Sequence, residues 1–115
     1  MNQTGKTVIG LTEKVIISEA GDDRQFVAKI DTGATKSSID LNLASELKLG
    51  PLTRSRVVKS ASGTRLRPML EVEIKIKGRV IKAEFTLADR TPMKYRLLIG
   101  QNILRQGFLI DPSKK

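Results

Sequence analysis

An all-β barrel or sandwich is the fold class that this sequence predicts. Three observations lead there. About eight short stretches alternate apolar and polar residues or are rich in Val and Ile, the period-2 pattern of half-buried strands. Breaks rich in Gly, Asp and Ser separate them at short intervals. Helical spacing is confined to two short places. At 115 residues the chain supports one domain, 1–115, with residues 1–6 and 112–115 expected as flexible ends.

The elements follow in order. Val8-Ile9-Gly10 and Glu13 to Ser18 read as strands. Glu19 to Asp23 is a turn, because Gly and Asp adopt the required backbone angles. Gln25 to Ile30 alternates and runs into the break Asp31-Thr32-Gly33-Ala34. Asp40 is placed to cap a helix whose stripe is Leu41, Leu43, Ala44 and Leu47, and Gly50-Pro51 would stop it. Ser55 to Ala61 is a strand and Ser62-Gly63 a turn. Leu70 to Lys77 alternates strictly, Gly78-Arg79 follows, and Val80 to Leu87 alternates again, a hairpin pattern. Asp89 to Lys94 is a loop, and Tyr95 to Ile99 a short strand. Gly100 to Arg105 forms one or two helical turns, and Phe108 to Ile110 a last strand. Aromatic residues make up 3% of the chain, so Val, Ile and Leu must build the core. A core so small would gain from oligomerisation.

Composition removes whole classes of chemistry. With no cysteine and no histidine, thiol nucleophiles, Ser-His-Asp triads and thiolate or imidazole metal sites are excluded. Acid–base work falls to carboxylates, lysines or the one tyrosine. The expected metal and cofactor complement is none, and no Gly-x-x-x-x-Gly-Lys phosphate loop occurs. The longest apolar runs, such as Val15-Ile16-Ile17 and Leu97-Leu98-Ile99, are too short to cross a bilayer. No signal-peptide core follows the N-terminus, so a cytoplasmic location is the expectation.

The net charge of +9 is uneven. Residues 1–57 hold 8 basic and 7 acidic side chains, a net +1, whereas residues 58–115 hold 13 and 5, a net +8. The basic half would attract an anionic partner. Nucleic acid is one candidate, but three Phe and one Tyr give few platforms for base stacking. An acidic polypeptide is the other. Lys75, Lys77, Arg79 and Lys82 read as the solvated face of the hairpin.

The chemistry gathers in three segments. An apolar strand leads straight into Asp31, then Thr32, Gly33, Ala34 and Thr35, so a carboxylate stands at a strand end beside a glycine N–H. Leu97-Leu98-Ile99 ends in Gly100 before a short helix. Ser60 to Thr64 turns between two strands. Alone, Asp31 would read equally as an exposed turn residue, and Asp89-Arg90 as a local ion pair.

Apolar-Asp-Thr-Gly-Ala resembles the active-site motif of retropepsin-like aspartic proteases. Leu98-Ile99-Gly100 resembles that fold's second landmark, and Ser62-Gly63 lies where those enzymes carry the flap. The chain is similar in particular to the bacterial and archaeal family known as ATP-dependent zinc proteases, associated with ATP-grasp glutamate ligases. Its matching stretches are Ile9 to Glu13, Ala28 to Ser38, Arg65 to Pro68, Thr86 to Met93, and Leu98 to Asp111. It departs at Gln101, where the family has arginine.

The resemblance implies a retropepsin-like closed β-barrel with one or two short helices. It implies an aspartic endopeptidase, active as a homodimer in which each subunit supplies one Asp31. Thr32, Gly33 and Ala34 would support that residue, with Thr32 bracing the pair across the two-fold axis. Ser62 and Gly63 would form the flap. The substrate would be a peptide, glutamate-rich given the ligase association. Arg65, Arg67, Arg90 and Lys94 are the candidates to bind its carboxylates. Retropepsin-like domains also serve as non-catalytic binding modules, here with a glutamate ligase or another protein as the partner. Asp111, before Pro112, reads as a strand end and not as a second catalytic carboxylate.

Overall fold

The computed structural model describes residues 5–18, 24–50, 54–60, 63–90 and 93–114, with 54–60 and 63–66 described by backbone alone. Among these described residues nine strands and two short helices follow one another. They are β1 (Thr7–Ile9), β2 (Thr12–Ile17), β3 (Arg24–Ile30), β4 (Ser37–Asp40), α1 (Leu41–Glu46), β5 (Arg54–Ser60), β6 (Gly63–Ile76), β7 (Arg79–Ala88), β8 (Leu97–Ile99), α2 (Gln101–Leu104) and β9 (Phe108–Ile110).

Six strands close on themselves in the order β2-β3-β8-β4-β7-β6, and β6 returns to β2 through Val15↔Ile76 and Ile17↔Ile74. Closure leaves these strands without the open edges of a flat sheet. β5 pairs with the first half of β6, from Arg54↔Met69 to Ser60↔Gly63. β1 and β9 form a separate parallel pair.

The hairpin of β6 and β7 turns one residue earlier than the sequence predicts. Lys77 and Gly78 both have positive φ, 51° and 78°, and Arg79 already pairs with Ile76. Two such residues make the tight loop whose twist suits flanking strands. Arg79, expected on a solvated face, lies with its guanidinium 4.4 Å above the Phe108 ring. It also donates to the carbonyls of Gly107 and Gln106. Its long side chain thus ties the hairpin to the segment behind α2.

β4 is the strand that the sequence does not announce. Ser-Ser-Ile-Asp has little strand propensity of its own. Its neighbours hold it: β7 in parallel, with Ile39↔Leu87, and β8 antiparallel, with Ser38↔Leu98. Conversely Tyr95 and Arg96 lie outside β8, although the Asp40 N–H still donates to the Arg96 carbonyl at 2.8 Å.

The barrel is filled as composition requires. Ile9, Val15, Ile17, Ile39, Leu70, Ile74, Ile76, Leu97, Ile99 and Ile103 are fully or almost fully buried. Phe85 and Phe108 are the aromatic residues in the main cluster. Each such aliphatic side chain contributes about 1.5–3 kcal/mol when taken from water. Phe85, at the centre of β7, has no exposed surface. Phe85→Ala is expected to destabilise the fold by about 3–5 kcal/mol, read by urea unfolding at one fixed protein concentration.

Candidate active site

Asp31 stands one residue beyond β3. Its backbone N–H donates to the Ile99 carbonyl at 2.9 Å, extending the parallel β3–β8 ladder past Ile30↔Ile99. Its Oδ1 accepts the Gly33 N–H at 2.9 Å, and its carbonyl accepts the Ala34 N–H at 3.3 Å. The chain therefore turns tightly around its own carboxylate. Asp31 is half-buried, and Thr32 and Gly33 are exposed.

The loop behind Asp31 is held by the start of α2. Gln101 N–H donates to the Ala34 carbonyl at 2.8 Å, and Asn102 N–H to the Thr35 carbonyl at 3.2 Å. These are N–H groups that the first turn of any helix leaves free. Gly100 makes the approach possible. A Cβ there would collide with the Lys36 carbonyl oxygen and stand 2.8 Å from that of Ala34. Gln101, the departure from the arginine of the resembled family, donates from Nε2 to the Thr32 carbonyl at 2.7 Å.

A buried polar relay underlies this contact. Ser37 has no exposed surface. Its Oγ accepts the Gly100 N–H at 3.0 Å and donates to Asn102 Oδ1 at 2.8 Å. Asn102 Nδ2 in turn donates to the Glu84 carbonyl at 2.9 Å. Sequence reasoning gives no role to Ser37 or Asn102, and marks Gln101 only as a departure. The signal for Asn102 lies in its place: a polar amide at the half-buried start of a short helix must find hydrogen-bond partners.

The sequence candidates divide as follows. Asp31, Thr32, Gly33 and Ala34 form the loop just described. Gly63 opens β6 opposite Ser60, and Ser62 lies outside the described residues. Arg65 and Arg67 belong to the β5–β6 hairpin, opposite Val58 and Arg56. Only the backbone of Arg65 is described, and Arg67 is partly exposed. Lys94 is exposed, its ammonium 5.5 Å from the centre of the Tyr95 ring. Arg90 is the buried cation among the described residues. Its Nε donates to the Tyr95 carbonyl at 2.9 Å and its Nη1 to Ser38 Oγ at 3.2 Å. Asp111 accepts from the N–H and hydroxyl of Ser113 just after β9, as a strand end.

Asp40 holds the segment that carries Arg90. Fully buried, it caps α1 by accepting the Leu43 N–H at 3.1 Å. Its Oδ1 accepts the Arg90 N–H at 2.8 Å, and its Oδ2 meets the Arg96 guanidinium at 3.0 Å. Burial by itself would raise its pKa. The Arg90 N–H, the Arg96 guanidinium and the Leu43 N–H together outweigh burial, and the carboxyl titrates below its ordinary 3.8.

Among the described residues no three acidic side chains gather as a metal site needs, and the chain offers no thiolate or imidazole. These donors do not fit a zinc ion. No helix of the described residues is long and apolar enough to cross a membrane.

A closed six-stranded barrel with an Asp-Thr-Gly loop clamped by a short helix is the retropepsin-like fold. It superposes on EIAV protease in complex with the inhibitor HBY-793, with a TM-score of 0.64 and 25% identity, covering 91% of this chain and 90% of that one. Simian foamy virus (mac) protease gives 0.60 at 18% identity, over 82% and 91%. A crystal structure of a Legionella pneumophila protein of unknown function gives 0.68 at 20% identity, over 93% and 94%. The family model of the retropepsin-like aspartic endopeptidase RimB matches residues 42–115. That is more than half of the chain, and the protein belongs to this RimB-like family. The matched span begins after Asp31, so the place of that residue rests on its geometry. A probable alpha-L-glutamate ligase of Desulfotalea psychrophila is 30% identical over 64 residues, which is 55% of this chain and 14% of that much longer protein.

Two outcomes follow from the buried polar groups. Ser37→Ala removes the acceptor of the Gly100 N–H and the donor to Asn102 Oδ1, and is expected to cost about 1–3 kcal/mol in unfolding free energy. Because the folded-state pKa of Asp40 is lowered, its stabilisation is complete above the ordinary value of 3.8 and is lost as pH falls through the folded-state value. Asp40→Asn should therefore unfold with a shallower pH dependence than the native chain between 3.8 and that lower value, in denaturant titrations at a series of pH values.

Proposed function

We propose that the protein is an aspartic endopeptidase whose catalytic carboxylates are two copies of Asp31 in a homodimer. The observation that carries this reading is the Asp31 loop itself. It holds a half-buried carboxylate at a strand end, with a backbone donor on one oxygen. One carboxylate cannot both activate water and protonate a carbonyl. Two held close share a proton, because like charges at that distance do not both ionise. The ionised one takes a proton from water, and the protonated one donates to the scissile carbonyl and then assists the leaving amine. The pair titrates as a unit. A two-fold axis between the Asp31 copies supplies the second carboxylate. Exposed Thr32 is then available to brace the pair through its hydroxyl, with Gly33 and Ala34 lining the cleft beside it. The hairpin that includes Ser62 and Gly63 serves as the flap that excludes water. The separate β1–β9 pair leaves outer strand edges with no strand partner among the described residues, a natural place for a second copy to add.

The substrate in this reading is an acidic, glutamate-rich peptide, met by the protein inside the cell. The +8 balance of residues 58–115 draws such a chain electrostatically. The partial match to a probable alpha-L-glutamate ligase points to the same chemistry. That match, confined to 14% of the ligase, also favours a second reading, in which the fold is a binding module for a ligase. Light scattering and a cleavage assay on glutamate-rich peptides separate the two. The first reading expects a dimer, and at least about a 100-fold loss of cleavage in Asp31→Asn with the dimer intact. Cleavage at the native rate in that variant would sink it. The second expects partner capture unchanged by the substitution and no turnover in either protein.

A further inference from the structure

Arg90 is over nine-tenths buried, with 8% of its surface exposed. A guanidinium has five N–H donors, and two are bonded, Nε to Tyr95 O and Nη1 to Ser38 Oγ. Nη2 meets no acceptor among the described residues. A buried cation with unspent donors is costly unless something accepts from it.

Its position says what that something faces. The register runs Lys29↔Leu98 and Leu98↔Ser38 across three adjacent strands. Leu98 is absent from the main hydrophobic cluster, whereas Ile30, Ile99 and Ile39 belong to it, and Ser38, half-buried, alternates with buried Ser37 and Ile39. Ser38 and Leu98 therefore stand on the outer face of the barrel wall. Asp31, the residue after inward-facing Ile30, continues that same outer face. The Arg90 guanidinium, bonded to Ser38, is close enough to Asp31 for the two charges to interact. Burial lowers the Arg90 pKa, and the charges of Asp31 and Asp40 oppose that effect. The guanidinium stays charged.

We infer that Arg90 is a specificity-determining residue, whose N–H groups without an acceptor among the described residues receive the side-chain carboxylate of a substrate residue next to the scissile bond. The inference rests on reading the Asp31 face as the substrate cleft. A planar fork already held at Nε and Nη1 loses little freedom on binding, and a carboxylate fits it with two parallel hydrogen bonds. Asp40 fixes the base of the fork through the Arg90 N–H. A neutral amide offers one oxygen and two unwanted donors, so the site discriminates Glu from Gln by chemistry rather than by size.

The test uses the full chain carrying Asp31→Asn, so that bound peptide is not hydrolysed. The probes are fluorescent, terminally blocked triglutamate and triglutamine, followed by anisotropy at one ionic strength. Triglutamate is expected to bind tighter by about 10- to 100-fold. Arg90→Met should erase that preference, and Arg90→Lys, with its point charge, should keep only part of it. A Glu-over-Gln preference that survives Arg90→Met overturns the inference, as does the absence of any preference before Arg90 is changed. Should Arg90→Met fail to fold, the Nε–H NMR signal of Arg90 decides the matter without that variant. It should shift with triglutamate and stay in place with triglutamine, and a signal indifferent to both also overturns the inference. Cleavage by the native chain is scored separately. Arg90-dependent binding without cleavage defeats the peptidase reading alone, and cleavage without Arg90 dependence defeats this one alone.

Discussion

The close approach of two backbones at Gly100 is the constraint on which the rest of the site depends. The loop that follows Asp31 passes so near the start of α2 that a single methyl group would not fit between them. That nearness lets helix N–H groups, free by the geometry of any helix start, donate to the carbonyls of Ala34 and Thr35. It also draws Ser37 under the contact, where its hydroxyl both accepts from Gly100 and donates to Asn102. Every polar group named in this relay has its partner, so the loop is held without the cost of a buried orphan. A carboxylate on such a loop has a defined direction, as acid–base chemistry requires.

A second node, Asp40, does for the Arg90 segment what Gly100 does for Asp31. One buried carboxylate caps α1, receives the Arg90 N–H and pairs with Arg96. Removing it from water is costly, and the converging donors outweigh that cost. The result fixes the Arg90 backbone beside the end of β4. The same residue supplies the guanidinium near Asp31. Two polar nodes thus orient the carboxylate and the cation from opposite sides of β8 and β4.

Much of this was legible in the residues. Alternation located β2, β3, β7 and the second half of β6, because strands with one face on a core must alternate. The Asp40 cap, Leu43, Ala44 and Leu47 of the helix stripe and a turn at Gly78 were legible from local chemistry alone, whereas Leu41, read into that stripe, is exposed and the turn begins one residue earlier, at Lys77. The Asp-Thr-Gly-Ala run and the Leu-Ile-Gly landmark were legible as motifs, and the structure brings them into contact. Three things were not. β4 exists only because β7 and β8 flank it. The first half of β6, interrupted by Pro68 and rich in arginine, shows no clean alternation, yet pairs along its length with β5. Arg79 looks like one more surface cation until Phe108 is placed beneath it.

The sequence by itself determined the fold class, the absence of thiol and imidazole chemistry, and the Asp-Thr-Gly-Ala run that sets a carboxylate at a strand end. Those follow from period, composition and local turn geometry, which a chain carries before it folds. Only the tertiary structure decided that Arg90 lies near Asp31, and that Ser37, Asn102 and Asp40 hold the two loops in place. Their roles depend on partners between 18 and 65 residues away, and no local pattern encodes a contact across that distance.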